Sequence, residues 1–334
     1  MSFDDIMKSK LDEASKKVDD HIHRLLVLGE PKQLYYAARH LLDSGGKRIR
    51  PYILLKSCEI VGGDSNNAIP FAAAVELLHN FTLIHDDIMD NDALRRGVPT
   101  VHIKWGIPIA ITSGDLLFAK TYESILKSKN ISPLNHDRLI ECIERITAAT
   151  ISICEGQAMD LSFPSLDVDE DGYLKMIDGK TASLFKACAE IGGIVGGGEA
   201  AAVRILGEFA WNAGIAFQLI DDYLGLVGDE KTLGKPVGSD VREGKKTLII
   251  IHALSQASDD EKERIKQILG NPEASKKDVK SLLALIKTLG SLEYVKNVAE
   301  KYAHEADSRL SFFRDSLAKQ DLRDIVQFFV KRIY

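Results

Sequence analysis

The 334-residue sequence is poor in cysteine, tryptophan and proline, with four, two and nine of them, and only 7% of it is aromatic. Its cysteines, Cys58, Cys142, Cys154 and Cys188, form no C-x-x-C pair, and no histidine stands at a zinc-finger offset. That excludes the common zinc and dithiol motifs. Each lies in an apolar helical context and is expected to pack as a small, reduced hydrophobe. An excess of positive charge is also missing: 43 basic against 49 acidic residues give a net charge of −6. A general nucleic-acid binder would need a basic footprint. No run is expected to reach the roughly 18 apolar residues that a membrane span requires. The opening MSFDDIMKSKLDEASKK is acidic and amphipathic, without the apolar core of a signal peptide, and a cytoplasmic protein is expected.

Alternating strand patterns are absent, and nearly everything periodic has a helical period. Apolar residues recur at i, i+3 and i+4 near 33–43, 51–61, 68–90, 108–127, 136–160, 170–190, 200–228, 246–256, 276–288 and 292–315. Glycine and proline mark the joints, the turns are short, and no low-complexity linker divides the chain. The expectation is an all-α protein of ten or more helices forming one domain over 1–334. Segments 73–85 and 209–220 are apolar nearly all round, as central helices are.

Two of these apolar helices end in acid. VELLHNFTLIH runs into Asp86, Asp87, Ile88, Met89 and Asp90, and WNAGIAFQLI runs into Asp221 and Asp222. Asp86 and Asp90, one turn apart, share a helix face and repel each other unless a cation lies between them. Oxygen-only carboxylate sites suit Mg²⁺, which keeps waters and is shared with substrate phosphates. A lone Asp-Asp pair is more simply a solvated helix end. Here the preceding helices lie inside, where uncompensated carboxylates are costly, and cations follow each cluster: Arg95 and Arg96 after the first, Lys235, Lys245 and Lys246 after the second. Acid for a metal and base for phosphate oxygens describe a diphosphate site.

Further cations suit the same ligand. Gly45-Gly46-Lys47-Arg48-Ile49-Arg50-Pro51 places three on a glycine turn before a helix. Lys180, Thr181 and Gln218 stand in otherwise apolar helices, a poor setting for them without a polar ligand.

With these residues assembled, the chain resembles the trans-isoprenyl diphosphate synthases, most closely the archaeal-type geranylgeranyl diphosphate synthases. The resemblance rests on GGKRIRP at 45–51, DDIMD at 86–90 with RRG at 95–97, KTASLF at 180–185, FQLIDDYLG at 217–225 and GKPVGSDVREGKKT at 234–247, in family order. It implies an isoprenoid synthase fold, a helical bundle around a deep central cavity, working as a homodimer. It implies that isopentenyl diphosphate is condensed with allylic diphosphates, with Lys47, Arg50, His79 and Arg96 holding the first. Arg95, Lys180, Thr181, Gln218, Lys235 and Lys245 would hold the second. Asp86, Asp90 and Asp221 would carry Mg²⁺, three ions per site shared with the allylic diphosphate, with Asp87 and Asp222 in support. The second acidic motif departs from many relatives by ending in Gly225, so metal binding there rests on Asp221, with Asp222 or Asp240 to compensate.

Product length follows from the helix that leads into the first acidic motif. A growing chain would run down it, away from Asp86. Thr82 lies one turn below and Phe81 five residues below, roughly 7.5 Å along the axis. Small Thr82 leaves room, Phe81 is the expected floor, and Leu78 lies deeper. In the family, an aromatic at the Phe81 position alone goes with archaeal-type geranylgeranyl synthases, so the resemblance favours a C20 product. Plain core packing is the rival role for Phe81. Products of C15, or of C25 and above, stay open here, as does a non-catalytic synthase-like subunit.

A rival of another class is a calcium-binding module, since Asp167, Asp169, Asp171, Gly172 and Asp178 match parts of an EF-hand loop. Lys175 at the ninth position and the lack of a second loop argue against it; acidic residues opening a helix explain the run more simply.

Overall fold

The chain begins with a helix because it closes its own N-terminus. Ser2 accepts from the Asp5 amide and Asp5 from the Ser2 amide, at 3.1 and 3.0 Å, a reciprocal cap. Met7, Leu11, Val18 and Ile22 then bury one face. The computed structural model describes residues 2–128, 134–227 and 239–332. Lys235 lies outside them, and so does the side chain of Asp240.

Sixteen α-helices occur among the described residues. They are α1 Phe3–Leu25, α2 Lys32–Asp43, α3 Ile49–Ile60, α4 Ser65–Met89, α5 Val101–Trp105, α6 Ile107–Lys127, α7 His136–Ser162 and α8 Glu170–Ile177. There follow α9 Ser183–Val195, α10 Ala200–Val227, α11 Ser239–Arg242, α12 Leu248–Gln256, α13 Asp259–Ile268, α14 Lys276–Thr288, α15 Ser291–Arg309 and α16 Leu317–Lys331. Strand among the described residues is limited to a two-residue antiparallel pair, Leu94–Arg95 with Val98–Pro99. The all-α expectation holds. The expected helix over 170–190 is instead α8 and α9, joined by a π-helical turn at Asp178–Ala182.

The chain falls into two compact units, residues 1–147, 187–207 and 310–324 in the first and 148–186, 208–309 and 325–334 in the second. The first is built on α4, which packs against α6, α3 and α1. Its length and composition would let it cross a membrane, contrary to expectation, yet 67% of its most apolar stretch is buried. It is a core helix. Lys10 of α1 pairs with Asp321 and Asp324 at 2.7 and 2.8 Å, and Lys56 of α3 with Asp321 at 3.0 Å. These half-screened pairs bind the ends of the unit's discontinuous sequence to α3.

In the second unit the stretch of α10 from residue 208 to Ile220 is mostly buried and apolar. Phe217 meets Phe185 at 5.4 Å and Phe329 at 4.9 Å between ring centres, an aromatic cluster directly before the second acidic end. The EF-hand-like run has ordinary employment here: Asp169 caps α8 by accepting from Gly172 N at 2.9 Å, and Asp178 accepts from the Trp211 indole at 2.6 Å.

The cysteines divide. Burial pushes the thiols of Cys58 and Cys142 up to about 12, and Cys188 is also fully buried. Cys154 corrects the expectation of uniform packing, since it is exposed on α7.

Candidate active site

In the first unit, the three cations of the glycine turn have different fates. Lys47 is exposed and Arg50 half-buried, whereas Arg48 is 3% exposed. Arg48 adopts a left-handed backbone, φ +47°, at the N-cap of α3, which turns its side chain inward. It donates to Asp19 at 2.8 Å, Glu76 at 2.9 Å, the Leu42 carbonyl at 2.9 Å and the Gly45 carbonyl at 3.3 Å. Asn80 of α4 completes Glu76 at 2.8 Å. Arg48 therefore fixes the turn that presents Lys47 and Arg50.

Arg50 donates to Nε2 of His79 at 3.3 Å, so that nitrogen is an acceptor and the ring is neutral. Burial holds the His79 pKa well below the usual imidazole range, and the guanidiniums of Arg50, Arg96, Arg95 and Arg48 push it the same way. Burial also leads in lowering the Arg96 pKa, with Arg48 and Arg95 adding to it. The guanidiniums of Arg48, Arg50, Arg95 and Arg96 thus all act on one neutral imidazole, a setting that favours an anion.

The Arg95–Arg96 motif sits on the short strand pair. Arg96 and Gly97 both have positive φ, +54° and +77°, as a two-residue hairpin turn with right-handed strand twist requires. Arg96 is anchored to the carbonyls of Leu41, at 2.9 Å, and Gly45. Arg95 donates to Asp87 at 2.5 Å and lies 3.7 Å from Asp92. Fully buried Asp87 thus aims Arg95, while Asp86 and Asp90 stay half-exposed at the end of α4.

In the second unit, α7 and the π turn lie so close that a Cβ on Gly156 would stand 2.8 Å from the Gly179 carbonyl carbon. The π turn carries Lys180 and Thr181, and such turns collect at functional sites. Lys180 pairs with Asp160 at 2.6 Å. Thr181 donates to Gln218 at 2.7 Å, Gln218 to Asp222 at 2.8 Å, and the Tyr173 hydroxyl to Asp222 at 2.5 Å. Burial and Asp222 raise the Tyr173 pKa well above its ordinary value, so the hydroxyl stays a donor. Asp221 points outward, its side chain 47% exposed, with Arg332 at 3.2 Å. Lys245 pairs with Glu243 at 2.9 Å.

Among the described residues, no group of three or more His, Cys, Asp or Glu side chains is gathered to hold a metal by itself. The acidic ends nonetheless fit Mg²⁺. Their donors are oxygen only, Asp86 and Asp90 are joined one turn apart by the Asp90 amide to Asp86 carbonyl bond at 2.8 Å, and a Mg²⁺ shell is completed by water and phosphate. Of the expected chain-length residues, Leu78 is fully buried, and Phe81 and Thr82 are half-buried on α4.

Asp19, Glu76, Asp160, Tyr173 and Arg332 were not singled out from the sequence. Glu76 and Asn80 left a signal there, polar residues inside an otherwise apolar helix; the others are distant in sequence from what they touch.

Residues 31–286 match the signature of a family described as polyprenyl synthetase. A geranylgeranyl diphosphate synthase of Saccharolobus solfataricus is 46% identical over 304 residues, 90% of this chain and 91% of that protein. The crystal structure of a geranylgeranyl pyrophosphate synthetase from Pyrococcus horikoshii Ot3 superposes with a TM-score of 0.93 at 42% identity, covering 99% of this chain and all of that one. A geranylgeranyl pyrophosphate synthase from Corynebacterium glutamicum, complexed with isoprenyl diphosphate and magnesium, gives 0.88 at 25% identity, covering 96% of this chain and 99% of the other.

Proposed function

The chain belongs to the polyprenyl synthetase family, and from that membership we propose that it condenses isopentenyl diphosphate with allylic diphosphates, with geranylgeranyl diphosphate (C20) as the main product. The observation that carries the reading is the crowd of fixed cations around neutral His79, beside a helix ending in Asp86 and Asp90. Asp19, Glu76 and Asp87 already pair Arg48 and Arg95, and an anionic ligand adds to what they balance.

Lys47, Arg50, His79 and Arg96 take isopentenyl diphosphate. His79 accepts from Arg50 on one nitrogen and so offers the other N–H to a phosphate oxygen. Arg95, Lys180, Thr181, Gln218, Lys235 and Lys245 take the allylic diphosphate. Asp86, Asp90 and Asp221 hold Mg²⁺, with Asp87 and Asp222 positioning the groups around them. Magnesium, when bound, supplies Lewis-acid stabilisation of charge on the departing diphosphate.

The side chains act by holding charge in place while the allylic C–O bond breaks and its electron pair leaves with diphosphate. The isopentenyl double bond attacks the allylic cation, a C–C bond forms, and a proton is lost to the released diphosphate. Apolar walls such as the buried face of α4 keep water from the cation.

We propose further that the two units act as one catalytic domain and that the protein is a cytoplasmic homodimer. The family resemblance supports the dimer, and the exposed Ile103, Ile107 and Ile111 on α5 and α6 are apolar side chains that a second copy could cover. Size-exclusion chromatography with light scattering is expected to give twice the chain mass.

The activity test incubates the protein with Mg²⁺, labelled isopentenyl diphosphate and each allylic diphosphate from C5 to C15, then separates the dephosphorylated products. A dominant C20 alcohol is expected. Another length keeps the chemistry and removes Phe81 as the floor; no condensation with any starter makes the chain a non-catalytic subunit.

A further inference from the structure

Phe81 makes two ring contacts. Its ring centre lies 4.7 Å from that of His85, one turn along α4, at an interplanar angle of 64°. It also meets Phe118 of α6, at 5.3 Å between ring centres. Phe118 meets Tyr122 edge-on at 5.3 Å, and the Tyr122 hydroxyl is 3.3 Å from that of Thr147 on α7. Phe118 therefore cannot yield without moving the ring below it.

His85 is held in turn by α6. Its Nε2 lies 3.3 Å from the Ile111 carbonyl and 4.0 Å from Asp115. The ring rests on buried Gly114, where an added Cβ would stand against Nε2 and 2.6 Å from Cδ2. Real Cβ atoms do not approach a ring so closely, so only glycine leaves the slot open at this position.

We propose that His85 and Gly114 are positioning residues for product length. Gly114 opens a slot in α6, the Ile111 carbonyl holds the imidazole in it, and the imidazole presses Phe81 against Phe118. The floor is then the braced ring rather than Phe81 alone. The inference rests on the reading of Phe81 as the floor of the elongating chain. Without the imidazole, Phe81 gains rotamers that swing its ring aside. A methyl at 114 expels the imidazole and has the same effect.

The test uses epistasis. His85→Ala, Gly114→Ala and Phe81→Ala are made singly, and each of the first two is combined with Phe81→Ala. The product distribution is measured with excess isopentenyl diphosphate, beside thermal unfolding. Because His85 adjoins Asp86, its turnover is expected to fall; the ratio of chain lengths is the readout, and it does not depend on the amount of active enzyme. Both single variants are expected to shift the product set to chains longer than wild type, with no further lengthening once Phe81 is alanine. Wild-type distributions in the single variants, or lengthening added on top of Phe81→Ala, would overturn the proposal. If Gly114→Ala does not fold, His85→Ala decides alone. An unchanged distribution in Phe81→Ala itself is a different failure, that of the floor reading.

Discussion

Neighbouring cations on the glycine turn should respond to mutation in opposite ways. Arg48→Met removes four hydrogen bonds, to Asp19, Glu76, Leu42 and Gly45, and leaves Glu76, 1% exposed, as a buried carboxylate served by Asn80. Breaking a buried ion pair from one side costs about 3–5 kcal/mol. At about 2 °C per kcal/mol, the low end for large domains, the thermal midpoint should fall by roughly 6–10 °C. Adding Glu76→Gln neutralises the stranded charge and should recover a good part of the loss. Lys47→Ala alters an exposed side chain, so its midpoint should match wild type while KM for isopentenyl diphosphate rises about tenfold or more, the worth of one charge-assisted hydrogen bond. Circular dichroism melts and initial-rate kinetics on the three variants decide it. An Arg48→Met protein melting within about 1 °C of wild type would refute the assignment of Arg48 as the clamp of the turn.

Tyr173→Phe removes the hydroxyl from Asp222 and should cost about 1.5–3 kcal/mol in denaturant unfolding, as expected for a bond to a charged acceptor; an unchanged midpoint would mean that water replaces it. His79 makes a pH prediction. Its folded pKa lies below the unfolded value of about 6.5, so below that pH the unfolded chain binds a proton the folded chain refuses. Stability should fall as pH drops through about 6.5 and be unaffected above it, and His79→Gln should flatten that limb of a pH series of chemical melts. Phe81→Ala should lengthen the main product beyond C20, read by chromatography of the alcohols. Arg332→Ala frees the exposed side of Asp221 and should lower the Mg²⁺ concentration needed for half-maximal rate; a higher requirement would mean that Arg332 serves the bound state.

Most of the helices could be read from apolar spacing, because α4, α6, α7 and α10 carry long apolar faces that sidedness alone reveals. The misses have physical causes. Over Asp259–Ile268 the buried residues are only Ile265 and Ile268, so α13 shows almost no period. In α1 the stripe Met7, Leu11, Ala14, Val18, Ile22 and Leu25 is regular but one residue wide, among charged neighbours, and the Ser2–Asp5 cap closes its start. The π turn at Asp178–Ala182 keeps a helical pattern while changing the hydrogen-bond register, which no pattern of side chains displays.

The candidate site stands out as motifs because its residues are polar where the helix pattern asks for apolar ones. What aims them does not. Asp87 is expected in support of the metal carboxylates, and the contact through which it holds Arg95 is made by folding. Arg48 is one of three cations on the glycine turn, and its left-handed backbone and its bond to Glu76 come only with the fold. Tyr173 lies 49 residues from Asp222 in sequence, a pairing made by folding alone.

The central claim is that both acidic helix ends carry the magnesium on which condensation depends. The most direct test titrates Mg²⁺ against the condensation rate for wild type, Asp90→Asn and Asp221→Asn, with thermal melts as a folding control. Both variants should fold and lose turnover by about a hundredfold or more, the scale on which positioned charge stabilises a departing anion, with a raised Mg²⁺ requirement. A folded Asp221→Asn protein with wild-type rate and wild-type Mg²⁺ dependence would contradict the account, and would leave the second acidic end without a role in metal binding.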